Sequence, residues 1–224
     1  MAPEFQANLQ IAIDLFVSKK RHGVTRGGGL RFKDSSGNLV FRVERQSHKS
    51  ALKRVLFDAS GNPLIYIHRN QIVFGYELLS GKGLPVLGGK GIHGEVKNVT
   101  VLHHLRNGSW QGFKRDNSEE VMIFRVERTL NALFRTELDV FPVGENGEES
   151  KSDFKMKGSP FHRSCTIYSG NSIMAQTSLM YKLGIQKVLV PRHRFRLTIF
   201  PGFVDHAFVV ALIVIFFDGR KLWI

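Results

Sequence analysis

The stretch from Ala207 to Phe217, AFVVALIVIFF, contains no polar side chain. It is too short to cross a bilayer, which takes about 20 apolar residues, and it suits a helix that is buried on every side. Asp205 precedes it as a candidate N-cap, and Gly219 follows it as a stop signal. The sequence therefore predicts a C-terminal helix enclosed by an apolar shell.

Short strands joined by tight turns make up most of the chain before this helix. Asp34–Asn38 (DSSGN) and Asp58–Asn62 (DASGN) are near repeats, and a β-rich segment follows each of them. Gly and Asn supply the positive φ angles that hairpin connections need. Ser169–Asn171 predicts another such turn. The pattern indicates a meander of hairpins rather than alternating strands and helices.

The predicted strands alternate apolar and charged residues. In Phe41–Glu44 and in Phe124–Glu127, Phe and Val share one face while Arg and Glu share the other. Such strands are typical of an antiparallel sheet with one solvated face. Together with the apolar helix they predict a mainly β fold, a closed antiparallel β-barrel around a central hydrophobic C-terminal α-helix. We expect residues 1–224 to form a single domain of this kind.

A Gly-rich stretch at about 70–98 shows no sustained periodicity, and we interpret it as a disordered insertion. It contains Gly89–Gly94, which matches the GxGxxG pattern of dinucleotide-binding proteins. That pattern functions between a strand and a helix, whereas β-branched residues follow it here. We therefore expect no cofactor.

Basic residues outnumber acidic ones, since 32 Lys and Arg oppose 19 Asp and Glu and the formal net charge is +13. Such an imbalance attracts polyanions, among them anionic phospholipid, acidic proteins and nucleic acid. The single cysteine, Cys165, excludes an internal disulfide and favours a reducing compartment. We expect a cytoplasmic monomer, with the plasma-membrane surface or the nucleus as alternative locations.

Sequence motifs do not support catalysis or metal binding. The chain has no CxxC, HxH or HExxH spacing that would indicate a metal site. It also lacks a GxSxG motif or paired carboxylates that would indicate hydrolysis. Cys165 begins a predicted strand, where it is interpreted as a small core residue. We therefore expect a protein that is not an enzyme and has neither catalytic residues nor a metal.

Outward-facing basic residues are the candidates for a binding site. Arg192, Arg194 and Arg196 occupy alternate positions of a predicted strand, so their side chains form a row with a spacing of about 7 Å. Such a row suits several phosphate groups. Four other basic residues join the candidate anion- or lipid-binding site: Arg42, Arg125, Lys155 and Lys157. Aromatic residues fall on the inward faces, which disfavours stacking on nucleic-acid bases and favours lipid head groups or proteins.

Several blocks of the sequence, in order, resemble the plant LURP-one-related family. They are Gly37–Val43, Arg54–Pro63, Trp110–Phe113, Glu137–Phe141, Phe154–Ser159, Ser164–Tyr168 and Val204–Phe208. With the final apolar stretch, the resemblance covers residues 8 to 218. It implies the fold of the tubby C-terminal domain and the phospholipid scramblases, which is a twelve-stranded barrel around a central hydrophobic helix.

The resemblance also suggests functions. Some members of the family are linked to basal defence against plant pathogens, and tubby domains bind phosphatidylinositol bisphosphate through a basic pocket. No motif of this chain matches that pocket residue by residue, so phosphoinositide binding is a hypothesis from fold and charge. The leading hypothesis is a non-enzymatic module that docks on anionic membrane phospholipid or on a protein partner. Alternatives are a nucleic-acid-binding or membrane-tethered transcription regulator, and a phospholipid scramblase, which the short helix disfavours.

Overall fold

Twelve antiparallel strands and one C-terminal helix form the fold of this protein in a computed structural model. The structure describes residues 11–19, 29–46, 53–70, 109–116, 119–132, 134–144, 154–180, 194–202 and 205–218. The strands are β1 Ile13–Lys19, β2 Leu30–Lys33, β3 Leu39–Arg45, β4 Lys53–Asp58, β5 Pro63–Asn70, β6 Ser109–Asp116, β7 Glu119–Asn131, β8 Thr136–Pro142, β9 Phe154–Ser159, β10 Ser164–Ser169, β11 Ser172–Leu179 and β12 Phe195–Ile199. The helix is α1 His206–Asp218. The Gly-rich stretch at about 70–98 lies outside the described residues, except for Asn70.

The strands close into a barrel in which each strand pairs with its neighbours along the chain. β1 completes the ring, because it pairs with β12 on one side and with β2 on the other. In the closing pair, Ile13 lies opposite Ile199 and Val17 lies opposite Phe195. A closed ring has no edge strand on which another chain could build a sheet. The predicted closed antiparallel barrel is confirmed.

Helix α1 lies within this barrel. Every side chain from Val209 to Phe217 is at most 1% exposed, so all faces of the helix are buried. A helix packed on the outer wall would leave one face in solvent. The inner faces of the strands supply the surrounding apolar side chains, including Phe32, Trp110 and Leu197, which are all 0% exposed. The prediction of an enclosed C-terminal helix is confirmed.

Aromatic contacts and a cap fix the direction of the helix inside the barrel. At its start, the Phe208 ring lies 5.3 Å from Phe124 and 5.6 Å from Phe154. At its end, the Phe217 ring lies 4.9 Å from Phe195. The predicted cap is present, since Asp205 Oδ1 accepts a 2.9 Å hydrogen bond from the backbone N–H of Phe208.

The barrel has two distinct ends because the helix runs from one to the other. We call the end beside Phe195 and Phe217, where α1 finishes, the distal mouth. Since neighbouring strands are antiparallel, β1, β3, β5, β7, β9 and β11 all run towards the distal mouth. The repeated turns after β2 and β4 therefore lie at the opposite end.

The two repeated turns have the same hydrogen bonds. Asp34 accepts from the backbone and side-chain N–H groups of Asn38 at 2.8 and 3.1 Å, and Asp58 accepts from those of Asn62 at 2.7 and 2.8 Å. The glycine before each Asn has a φ of 87° or 96°, which glycine adopts without strain. These bonds lower the pKa of both carboxyls, chiefly through the backbone N–H at Asp34 and through the side-chain amide at Asp58. The predicted hairpin turns are confirmed.

Candidate functional site

Basic side chains meet on the outer wall of the barrel, in the region where the first strand of the chain pairs with the last. Arg31 on β2 lies directly opposite Arg42 on β3. Lys33 on β2 lies opposite Phe16 on β1, and Phe16 in turn lies opposite Arg196 on β12. Opposite residues of antiparallel strands have Cα atoms about 4.5–5.5 Å apart and point to the same face. The strand register therefore assembles one basic surface across β12, β1, β2 and β3.

We name this region the outer basic surface and define it by Arg31, Lys33, Arg42, Arg194 and Arg196. The alternation predicted for β12 is confirmed, since Arg194 and Arg196 are exposed while Phe195 is buried. Arg192 lies outside the described residues. Two carboxylates of the same four strands lie nearby. Arg42 Nε is 3.7 Å from Glu44, and Arg196 Nη1 is 3.6 Å from Asp14.

These two ion pairs leave the outer basic surface with a net positive charge. Both are long and partly exposed, with 39% of the Arg42 side chain and 48% of the Arg196 side chain accessible to solvent. Exposed pairs of this kind are worth at most about 1 kcal/mol, so a phosphate competes with the carboxylates for the same guanidinium groups.

Aromatic rings also take part in the outer wall. The Arg42 Cζ atom lies 5.0 Å from the centroid of the Phe57 ring, and the Arg125 Cζ atom lies 4.6 Å from that of Phe141. Phe16 is half-buried between Lys33 and Arg196. The expectation that aromatic residues face inward is wrong for these three rings. The position of each aromatic residue along its strand determines whether the ring points into the barrel or out to solvent. Long basic side chains cover the apolar surface of these outward rings.

The other predicted site residues lie elsewhere on the wall. Arg125 projects outward from β7 and forms an ion pair with Glu127. Lys155 and Lys157 are exposed on β9, and Lys155 Nζ lies 4.0 Å from Asp139. With neighbouring strands about 4.8 Å apart, β9 lies about 14 Å along the wall from β12, and β7 lies farther. The structure therefore brings Arg42, Arg194 and Arg196 into one region and separates the remaining three from it.

Sequence analysis did not identify Arg31 and Lys33. The signal was present, because Arg31, Phe32 and Lys33 alternate as the other candidates do, and Phe32 is fully buried. The sequence does not reveal that β1 pairs with β12. This pairing places β2 close to the arginines of the last strand.

The candidates for reactive or metal-binding groups have structural roles or lie outside the described residues. Cys165 is fully buried, and burial raises the pKa of its thiol well above the usual value, so the nucleophilic thiolate is disfavoured. Within the described ranges, no group of three His, Cys, Asp or Glu residues is placed to hold a metal ion. None of the helices found there is both long and apolar enough to cross a membrane. The Gly89–Gly94 motif falls in the part of the chain that is not described.

Comparison with known proteins gives consistent matches over nearly the whole chain. The family model described as LURP-one-related matches residues 13–87 and 92–218. Protein LURP-one-related 7 of Arabidopsis thaliana is 39% identical over 211 residues, which are 94% of this chain and 91% of that protein. Protein LURP-one-related 15 of the same plant is 29% identical over 210 residues, which are 93% of this chain and 81% of that protein.

A solved structure extends this similarity to three dimensions. The X-ray structure of an Arabidopsis thaliana protein aligns with a TM-score of 0.52 and 25% sequence identity, over 92% of this chain and 90% of the other. The family match spans both the first strand and the enclosed helix. The resemblance found in the sequence is confirmed, and the chain belongs to the LURP-one-related family.

Proposed function

We propose that this protein is a non-enzymatic module that docks on anionic membrane phospholipid through the outer basic surface. The observation that carries the proposal is the register of β1 with β12 and β2, which gathers basic side chains from distant parts of the chain on one wall. The net charge of +13 supports it, because a strongly basic protein concentrates at anionic surfaces.

The expected affinity follows from the number of cations. A basic residue near an anionic membrane contributes about 1 kcal/mol, so the five residues of the outer basic surface would contribute about 5 kcal/mol. This corresponds to an apparent dissociation constant of order 10⁻⁴ M. Docking through this surface alone is therefore reversible, and screening by salt weakens it.

A phosphoinositide suits the surface better than a lipid with one phosphate. Arg31 and Arg42 lie in register, so a head group with several phosphates can engage both guanidinium groups at once. We infer peripheral attachment to the cytoplasmic side of the plasma membrane and a place in plant defence. A protein partner bound by the same surface is the second possibility, favoured by the half-buried Phe16 in its middle.

Flotation with vesicles tests the proposal through a matched pair of triple variants. Vesicles of phosphatidylcholine with or without phosphatidylinositol bisphosphate are the probe. The test variant is Arg31→Gln/Arg42→Gln/Arg196→Gln, and the control is Arg125→Gln/Lys155→Gln/Lys157→Gln, which removes the same charge from the other strands. We expect the test variant to lose most of its binding to the phosphoinositide vesicles and the control to retain most of it.

Two results would contradict the proposal. Equal loss in both variants would show that binding depends on total charge alone, and loss only in the control would move the site to β7 and β9. If the wild-type protein binds vesicles with phosphatidylinositol bisphosphate no better than vesicles of phosphatidylcholine alone, the membrane-docking proposal is wrong altogether. Cooperative thermal unfolding of each variant serves to show that the barrel is intact.

A further inference from the structure

An exposed pair of serines lies at one end of the outer basic surface. Ser35 and Ser36 form the tip of the turn between β2 and β3, and both residues are exposed. Hydrogen bonds of the residues on either side hold this turn, since Asp34 accepts from the backbone and side-chain N–H groups of Asn38. The Asp34 carbonyl oxygen also accepts from the backbone N–H of Gly37 at 3.1 Å. The serine side chains are therefore presented to solvent on a hydrogen-bonded hairpin.

Two cations precede Ser36 on the same face of β2. Arg31 and Lys33 stand five and three residues before it in the chain. Alternate residues of a strand point to one face, and the buried Phe32 between the two cations points to the other. Arg31 is exposed and Lys33 is half-buried. An extended segment with two outward cations before an exposed hydroxyl suits a protein kinase whose substrate groove is lined with carboxylates.

The second repeated turn differs from the first in these preceding residues. The Asp58–Asn62 turn has the same hydrogen bonds and places an exposed Ser60 at the position that corresponds to Ser36. The residues three and five positions before Ser60 are Phe57 and Val55, and both are apolar. An acidic groove therefore has no cation to bind at these two positions. The chain thus holds a candidate acceptor serine and a matched comparison in the same kind of turn.

A phosphate on Ser36 would lie close to the outer basic surface. Lys33 is three residues away, so the two Cα atoms are at most about 11 Å apart. Long side chains shorten the distance between the charges, and the Debye length is about 8 Å at physiological ionic strength. Asp14 and Glu44 oppose the five cations of the surface, which leaves three net positive charges. Phosphoserine carries a charge of about −1.5 to −2 at pH 7, so it offsets half of them or more.

We propose that Ser36 is phosphorylated by a serine/threonine kinase that selects basic substrates, and that the phosphate releases the protein from anionic membranes. This inference rests on the proposed docking through the outer basic surface and adds its regulation. In the reaction, the hydroxyl oxygen of Ser36 attacks the γ-phosphorus of Mg²⁺-bound ATP. A new P–O bond forms as the bond to the β,γ-bridging oxygen breaks, ADP leaves, and the hydroxyl proton passes to the catalytic aspartate of the kinase.

Phosphorylation of the folded, full-length protein tests the site itself. The probe is a purified kinase that selects Arg or Lys before the acceptor, with Mg²⁺ and ATP, and mass spectrometry of peptides locates the phosphate. We expect phosphate at Ser36 and none at Ser60. Lys33→Gln should lower the initial rate at Ser36 about tenfold or more, because one charge-assisted contact is lost. Lys155→Gln, which removes an exposed lysine of β9, should keep the wild-type rate.

Three results of this experiment would overturn the proposed site. Absence of phosphate at Ser36 would show that a kinase does not reach the turn in the folded protein. Modification of Ser60 at the same rate would show that the preceding cations do not select the serine. An unchanged rate for Lys33→Gln would lead to the same conclusion.

Flotation tests the effect of the phosphate on membrane docking. Vesicles of phosphatidylcholine with phosphatidylinositol bisphosphate are mixed with unphosphorylated wild type, phosphorylated wild type, or Ser36→Ala after the same kinase treatment. We expect phosphorylation to weaken the apparent affinity about tenfold or more, because it offsets nearly two charges near an anionic surface. Ser36→Ala should float as the unphosphorylated wild type does. Circular dichroism melts show whether each protein remains folded.

Failure of the regulation and failure of the docking give different results. If the phosphorylated and unphosphorylated proteins float equally well, the docking stands and the regulatory role of Ser36 is wrong. If the unphosphorylated wild type does not float, membrane docking is wrong and its release by phosphate is wrong with it. In that case the mass spectra still decide whether Ser36 is a kinase site.

Discussion

At the scale of single residues, Gly158 shows how closely the strands of this barrel approach each other. A Cβ atom at this position would lie 2.2 Å from the Ser164 carbonyl oxygen and 2.8 Å from the Cys165 Cα atom. Both are backbone atoms of the paired strand β10, so they cannot move without disturbing the barrel. A side chain at this position is therefore excluded by the fold itself.

Replacing this glycine should destabilise the protein. We expect Gly158→Ala to cost about 1–3 kcal/mol of unfolding free energy, as overpacking usually does. Urea unfolding measures the difference. Lys157→Ala, on the solvent face of the same strand, should change stability by no more than about 0.5 kcal/mol. An unchanged urea midpoint for Gly158→Ala would show that β9 and β10 are not paired as described.

His68 links stability to pH. Its ring packs 4.8 Å from that of Phe113 on the outer wall. Burial lowers the pKa of His68 and so does the nearby charge of Lys53, while Glu120 acts in the opposite direction. The folded protein therefore binds a proton at this ring less readily than the unfolded chain does. Stability contributed by the neutral form is present above the unfolded pKa of about 6.5 and is lost as pH falls.

Acidification should therefore destabilise the wild type more than a variant without this ring. We expect thermal melts between pH 7 and pH 5 to show a smaller decrease in Tm for His68→Gln than for the wild type. Identical slopes for the two proteins would show that His68 binds a proton equally well in the folded and unfolded chains.

At the scale of elements, the helix is the centre of the core. Val210 is 0% exposed on α1, so an aspartate there would be a buried carboxylate without a partner. Such a charge costs several kcal/mol, which is a large part of the 5–15 kcal/mol that stabilises a typical domain. We expect Val210→Asp to abolish cooperative unfolding. Val121→Asp, the same substitution at a residue that is 50% exposed, should melt like the wild type.

The opposite result for Val210→Asp would contradict the enclosed position of the helix. If Val210→Asp kept a cooperative melt near that of the wild type, the helix would have to lie on the surface rather than inside the barrel. A milder change, Val210→Ala, should cost about 2 kcal/mol through lost burial and leave the protein folded.

At the scale of the whole molecule, closure of the barrel joins the start of the chain to its end. β1 and β12 are separated by most of the sequence, yet they are neighbours in the wall. Closure places the outer basic surface at this junction and leaves the other predicted basic residues on distant strands. It also gives the molecule a distal mouth with an inner face of its own. The outer basic surface thus depends on the ring rather than on any single segment.

Local sequence patterns predicted the elements well because their causes are local. The apolar run of Ala207–Phe217 can only be a buried segment, and Asp205 caps it as its side-chain chemistry requires. The repeated DxSGN turns form because Asp, Gly and Asn satisfy one another within a few residues. The sequence did not predict that Phe16 and Phe57 face outward, because apolar character alone does not reveal which face of a short strand a residue occupies.

The enclosed helix, the hairpins and the strong positive charge can all be predicted from the chain, since each follows from side-chain chemistry or from periodicity over a short stretch. Which basic residues become neighbours depends instead on the folded barrel. Strand pairing between chain ends brings Arg196 towards Lys33, and β5, β6 and β7 bring Arg69 and Arg128 to Trp110. The physical reason is that hydrogen-bonded register across strands, rather than proximity along the chain, sets these distances.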